Sequence, residues 1–198
     1  MIEEKYFFED EIYSKKDYKF EFEPDEDIIR EIIKIKDQGD VLDLGCGEGG
    51  NSLELADKRF NVTCVDISKT AIDKIKKEAK KRELIINAIC KDLEDYEINK
   101  EYDVVIGTGV FHFLSKENTY KLIEEIKKQT KMNGLNILEV SLEEDPSQEE
   151  DSEGYYFPKE RLKELYYDWD IIDYREYEAY DEEEEVNNKL ARVIAIKR

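Results

Sequence analysis

The sequence predicts an α/β fold with a mainly parallel sheet closed by an antiparallel hairpin. Between residues 25 and 140, short strand-like runs of buried apolar residues alternate with segments that repeat apolar residues at helical spacing. Strands separated by helices of this length imply βαβ units with right-handed crossovers, hence parallel pairing. The last two strand-like runs, 171–180 and 190–196, are joined only by the turn DEEEEVNNK. A parallel partner would need a long crossover, so these two must be antiparallel.

The elements follow in order. Ile28, Ile29, Ile32 and Ile33 form one stripe of a helix over 25–35. It leads into DQGDVLDLGCGEGG, where 41–44 reads as a buried strand ending in glycines, and helix resumes over 51–58. The second strand is 61–65, and Ser68 is a suitable N-cap for a helix carrying Ala71, Ile72, Ile75 and Ala79. Strands are expected at 84–89, 102–106 and 135–140, with a helix over 116–131 between the last two. Phe157-Pro158 is expected to open a helix with proline at its first position. The organisation expected is one domain over 1–198: an amino-terminal segment and helix (1–37), a core (38–140), and an acidic insertion, helix and closing hairpin (141–198).

Charge narrows the function. The 51 Asp and Glu against 31 Lys and Arg give a net charge of −20, which opposes the long phosphate contacts of a nucleic-acid binder. No window resembles a membrane span or a secretion signal, and three cysteines without CxxC spacing suit reduced thiols, so a cytoplasmic protein is expected. With a single histidine, any metal site would be almost wholly carboxylate, and none is expected. The acidity is uneven: 142–153 holds seven acids and no base, and 181–185 holds five more. Such runs are usually solvated loops, and a mobile acidic flap beside a site is the functional alternative.

The turn after the first strand carries the chemistry. Gly45, Gly47 and Gly50 satisfy GxGxxG between a strand and a helix, and Asp66 ends the next strand, 21 residues past Gly45. A dinucleotide site would look much the same: backbone approaching a ligand closely, and a carboxylate chelating ribose hydroxyls. Asp43 discriminates. An acid at the carboxyl end of the first strand would repel a pyrophosphate, but it suits S-adenosyl-L-methionine, whose middle and tail carry a sulfonium and an α-ammonium. Glu48 adds a further acid to the turn. Asp92, after the third strand, can accept from an adenine amine or cap a turn. Gly107, Thr108, Gly109 and Val110 place small residues where backbone passes close to a ligand at the fourth strand's carboxyl end.

VLDLGCGEGGNSLELA, VTCVDIS, the aspartate of CKDLED, and EYDVVIGTGVFHFL together resemble the successive cofactor motifs of class I S-adenosylmethionine-dependent methyltransferases. The resemblance covers roughly 38–140 and implies a Rossmann-like three-layer sandwich with a seven-stranded sheet and an antiparallel C-terminal strand. It implies that Asp43, Gly45, Cys46, Gly47 and Glu48 border the methionine moiety and that Asp66 and Ile67 bind the ribose. It further implies that Asp92 and Leu93 border the adenine, and that Thr108, Gly109 and Val110 lie near the transferred methyl. A narrower resemblance is to the tellurite-resistance (TehB-like) methyltransferases, on Lys5-Tyr6-Phe7, GGNSLELA and LKELYYDW. That family carries a His-Arg pair and a further arginine in its last hairpin. Here the stretch reads Glu178-Ala179-Tyr180-Asp181-Glu182, so a neutral or cationic acceptor is expected instead of an oxyanion.

His112 is the candidate general base, having the one side chain whose ordinary pKa suits proton abstraction near neutrality; the alternative is a packed histidine. Tyr6, Phe7, Phe8, Tyr155, Tyr156, Phe157, Tyr166, Tyr167 and Trp169 are expected either to pack or to close over a sulfonium by cation–π contact. Cys46, Cys64 and Cys90 read as small buried hydrophobes. The short segments outside the core favour a small-molecule acceptor. A non-catalytic S-adenosylmethionine-binding regulatory or scaffold protein and a dinucleotide-dependent oxidoreductase remain open alternatives.

Overall fold

Runs of branched apolar residues become strands here because both faces are covered. Val41, Leu42 and Leu44 are fully buried in β1 (Asp40–Leu44), as are Val104, Val105 and Ile106 in β4 (Tyr102–Gly107). The computed structural model describes residues 13, 22–143, 145–146, 154–181 and 185–198. The remaining strands are β2 (Asn61–Asp66), β3 (Ile86–Cys90), β5 (Thr130–Ser141), β6 (Asp170–Asp181) and β7 (Val186–Ile196). They form one seven-stranded sheet of order β3-β2-β1-β4-β5-β7-β6. Its ladders β1/β2, β2/β3 and β4/β5 are parallel, whereas β7 runs antiparallel to both β5 and β6. The fold class read from the sequence, including the closing hairpin, is therefore the observed one.

The chain divides into two compact units, Met1–Glu97 and Ile98–Arg198. In the first, α1 (Glu26–Ile35) starts where Asp25 Oδ1 accepts from the amides of Asp27 and Ile28, at 2.9 and 3.1 Å. α2 (Gly50–Asp57) follows the glycine turn, and α3 (Lys69–Lys81) is capped by Ser68 Oγ on the Ala71 amide at 3.1 Å. In the second unit, a 3-10 turn (Phe111–Phe113) precedes α4 (Lys116–Lys128), and α5 (Arg161–Leu165) precedes β6. No helix among the described residues is long and apolar enough to cross a membrane.

The fifth and last strands start earlier than expected, at Thr130 and Val186, and three further boundaries differ with a visible local cause. The third strand begins at Ile86, not Leu84, because Glu83 (φ 58°) closes α3 in the left-handed region, with the Leu84 amide on Ala79 O at 2.8 Å and Glu83 on Lys80 O at 3.3 Å. The helix expected over 116–131 ends at Lys128: Lys197 Nζ, reaching over from beyond β7, donates to the carbonyls of Lys127, Lys128 and Thr130 at 2.8, 3.1 and 2.7 Å. A cation there complements the helix dipole. Pro158 does not open a helix either. Glu160 sits at φ 61° with its amide on Glu176 Oε1 at 2.6 Å, so helix starts only at Arg161. Of the cysteines, Cys64 is buried and Cys46 half-buried, but Cys90, at the end of β3, is exposed.

Candidate active site

In the first unit, β1 delivers its chain into a turn that only glycine tolerates at several points. Gly45, Gly47 and Gly49 have φ of 68°, 52° and 83°. The turn is pinned to β2: the amides of Gly45 and Cys46 both donate to Val65 O, at 2.8 and 3.1 Å. It is pinned again by Asp66, whose Oδ2 accepts from the Gly47 amide and whose Oδ1 accepts from the Ser68 amide, both at 2.8 Å. One carboxylate thus ties the glycine turn to the start of α3, and carboxylate oxygens accept more than one hydrogen bond each.

Asp43 is buried on β1, with Ser52 Oγ of α2 donating to its Oδ2 at 2.6 Å. Burial pushes its carboxyl up to about 6; the Ser52 hydrogen bond opposes this and the neighbouring Asp66 charge adds to it. Burial and then the neighbouring Cys64, with smaller contributions from Asp66 and Asp43, hold the Cys46 thiol well above its ordinary range, so it is no nucleophile. Glu48 is buried and pairs with Lys74 of α3, while its Oε2 has no hydrogen-bond partner among the described residues. Ile67 is half-buried, and its carbonyl accepts from the Cys90 thiol at 3.4 Å. Asp92 is half-buried and its Oδ1 accepts from the Glu94 amide at 3.0 Å, a turn-capping contact; Leu93 beside it is buried.

Besides Ser52, one further residue escaped the sequence reading. The Tyr13 hydroxyl lies 3.0 Å from where a Cβ would stand on Gly47, so a phenol from the amino-terminal segment faces the glycine turn. A lone tyrosine in a charged stretch gave no signal for it. Tyr6, Phe7 and Phe8 lie outside the described residues, as do 144, 147–153 and 182–184 of the two acidic runs.

In the second unit, β4 ends at Gly107; Thr108 and Val110 are half-buried, and Gly109 is exposed at φ 64°. Phe111 anchors the 3-10 turn in the core and Phe113 is 43% exposed. His112 between them is half-buried, its Nδ1 lies 3.4 Å from Ser141 Oγ at the end of β5, and Tyr156 lies 6.2 Å away by ring centroid. Burial lowers the His112 pKa and the Asp145 carboxylate partly offsets this, so the imidazole is neutral at pH 7. Tyr155 and Phe157, on either side of the buried Tyr156, are held by main-chain bonds: Tyr155 N to Leu114 O at 2.9 Å, Phe157 N to Ser141 O at 2.9 Å and Glu143 N to Phe157 O at 2.8 Å. Tyr166 and Trp169 pack edge-to-face in the core, whereas Tyr167 is exposed.

Residues 6–193 match the sequence pattern of the family described as tellurite resistance protein TehB. The chain belongs to the TehB family. It is 32% identical over 136 residues to the probable S-adenosyl-L-methionine-dependent methyltransferase TehB of Haemophilus influenzae, covering 69% of this chain and 48% of that protein. The chain thus spans about half the length of the curated relatives it matches. The crystal structure of TehB from Haemophilus influenzae superposes with a TM-score of 0.81 at 28% identity, covering 96% of this chain and 67% of that one. The N-methyltransferase NodS from Bradyrhizobium japonicum, solved with S-adenosyl-L-homocysteine, gives a TM-score of 0.72 at 14% identity over 96% of this chain and 97% of that one. That likeness is one of fold: the Rossmann-like methyltransferase sheet is shared by this TehB family member and by distant enzymes.

Proposed function

We propose that the chain transfers the methyl group of S-adenosyl-L-methionine to a small-molecule acceptor. The observation that carries this reading is the buried Asp43 carboxylate at the foot of a turn with three left-handed glycines, beside Asp66 and Glu48. A dinucleotide's pyrophosphate would meet three acids there. A ligand with a sulfonium and an ammonium would meet charges of the right sign. When bound, that ligand supplies an electrophilic methyl group. The glycine turn admits it closely, Asp43 and Glu48 balance its positive charge, Asp66 and Ile67 take the ribose, and Asp92 and Leu93 border the adenine. Thr108, Gly109 and Val110 border the methyl, and His112 accepts the acceptor's proton. Family membership supports the same reading, and the acids of the last hairpin support a neutral or cationic acceptor.

Calorimetry with S-adenosylmethionine, S-adenosylhomocysteine and NAD tests the cofactor. Binding of the first two and not of NAD is expected, and tight NAD binding with neither of the others would overturn the reading. With the cofactor established, a labelled-methyl screen over thiols, amines, phenols, carboxylates and metalloid oxyanions identifies the acceptor. His112→Ala is then expected to lower turnover more than about tenfold, within the ordinary range for a lost general base, with cofactor affinity within about twofold. Unchanged turnover would remove His112 from the chemistry.

A further inference from the structure

The glycine turn carries a group that the chemistry above leaves unused. Within the first unit, the Tyr13 hydroxyl lies 3.0 Å from where a Cβ would stand on Gly47, with ring atoms Cζ and Cε1 at 3.7 and 3.8 Å. Gly47 sits at φ 52°, so the phenol takes the place that a side chain would have in the middle of the turn. The chain entering α1 rests against the same region further along. The Glu23 carbonyl oxygen fills the space of a Cβ on Gly50, and the Asp25 amide donates to Asn51 Oδ1 at 2.8 Å. Contacts at Gly47, Gly50 and Asn51 thus hold the amino-terminal chain against the turn and the start of α2.

What the phenol can do follows from the charges and donors around it. S-adenosyl-L-methionine ends in an amino acid, so its tail carries a carboxylate beside the ammonium. Asp43, Glu48 and Asp66 suit the ammonium and the sulfonium, but they repel that carboxylate. The turn's own amides are already engaged. Those of Gly45 and Cys46 donate to Val65 O, that of Gly47 to Asp66 Oδ2 and that of Gly49 to Cys46 O at 2.9 Å, unlike the outward amides of a phosphate-binding loop. Side-chain donors beside the turn are engaged as well: Ser52 Oγ donates to Asp43, and Lys74 pairs with Glu48. A phenol hydroxyl can donate to a carboxylate while itself accepting a hydrogen bond. We propose, on the methyltransferase reading, that Tyr13 is a cofactor-binding residue whose hydroxyl donates to the carboxylate of the methionine moiety. The same contact sets specificity. Decarboxylated S-adenosylmethionine keeps both positive charges and lacks the anion, so the three acids alone would favour it over S-adenosyl-L-methionine. A donor at Gly47 acts only on the carboxylated form and tips the choice back.

Calorimetry on the full chain and its Tyr13→Phe variant tests this, with S-adenosylmethionine, S-adenosylhomocysteine and decarboxylated S-adenosylmethionine as probes. Phenylalanine keeps the ring and removes only the hydroxyl. Affinity for the two carboxylated ligands should fall about tenfold or more, the scale of a lost hydrogen bond to a charged group, while affinity for the decarboxylated one stays within about twofold. A ring that only packs against the turn would leave all three affinities unchanged or move them together, and either result would overturn the assignment. Tighter binding in the variant would overturn it too, because the phenol would then be blocking the turn. A parent chain that binds none of the three probes would defeat the methyltransferase reading itself, and the role of Tyr13 with it.

Discussion

Asp43 shows a residue held against its own stability. Its carboxyl titrates near 6 in the fold against about 3.8 when exposed, chiefly because it is buried. The folded pKa is raised, so the protonated form is favoured by folding: the contribution is full below pH 3.8 and is lost as pH rises through 6. At pH 7 the ionised carboxylate therefore costs about 3 kcal/mol, at roughly 1.4 kcal/mol for each pH unit between the two values. Asp43→Asn keeps the shape and an acceptor for Ser52 while removing the charge. In the ligand-free protein, urea melts at pH 7.5 should show the variant more stable by about 1–3 kcal/mol, and by little at pH 4. Its S-adenosylmethionine affinity should fall about tenfold or more, the loss expected when a buried charge partner is removed. A variant no more stable than the parent at pH 7.5 would show that the carboxylate is not strained. Much of this site was readable in advance, because glycine spacing and carboxylates at strand ends are properties of the chain. The Ser52 and Tyr13 contacts were not, since each brings together side chains from separate elements.

At the scale of elements, glycine acts for two different reasons, and substitution separates them. A Cβ on Gly50, the first residue of α2, would stand 2.0 Å from the Glu23 carbonyl oxygen, a main-chain atom that cannot swing away. Gly50→Ala should therefore destabilise by about 2 kcal/mol or more, the scale of overpacking a closed site. Gly109 has nothing within 4 Å of its would-be Cβ but sits at φ 64°. Gly109→Ala should cost only the left-handed backbone, about 1 kcal/mol. Denaturant midpoints that rank the two in the opposite order would contradict this. Element boundaries divide in the same way between local and distant causes. Asp25, Ser68 and Ser115 cap their helices with side chains three residues or fewer from the amides they bind, so the starts of α1, α3 and α4 were legible. The ends carried less signal: α1 and α2 do stop within a residue of where the sequence puts them, but Arg59 and Glu83 close helices at φ 71° and 58° where glycine is the usual signal, and α4 is closed three residues early, at Lys128, by Lys197. The missing helix at Pro158 has the same origin, a carboxylate on β6 that captures the Glu160 amide.

For the molecule as a whole, two electrostatic effects of opposite sign compete, and salt weakens both. Helix-surface pairs stabilise it: Lys34 with Glu31 at 2.6 Å, Lys58 with Glu54 at 2.8 Å, Arg82 with Glu78 at 2.7 Å and Arg161 with Glu164 at 2.9 Å. Each such exposed or half-exposed pair contributes roughly 0.3–0.5 kcal/mol, so several of them together reach about 2 kcal/mol. Against them stands the mutual repulsion of a net charge of −20, which compact folding intensifies. At about 0.01 M salt charges interact over roughly 30 Å, so each unpaired acid feels many others, whereas near 0.15 M the range falls to about 8 Å. Short pairs survive that change better than long-range repulsion does, because their partners lie well within the screening length. Salt should accordingly stabilise the protein. Between about 0.01 and 0.2 M NaCl at pH 7.5 the melting temperature should rise by several degrees, with about 1 kcal/mol corresponding to 2–4 °C for a chain of this size. KCl should give the same rise, since the effect is one of screening, and the rise should shrink at pH 5 as carboxyls begin to protonate. A melting temperature that falls with salt would mean that the local pairs outweigh the excess of acids, and that the acidity is compensated where it lies.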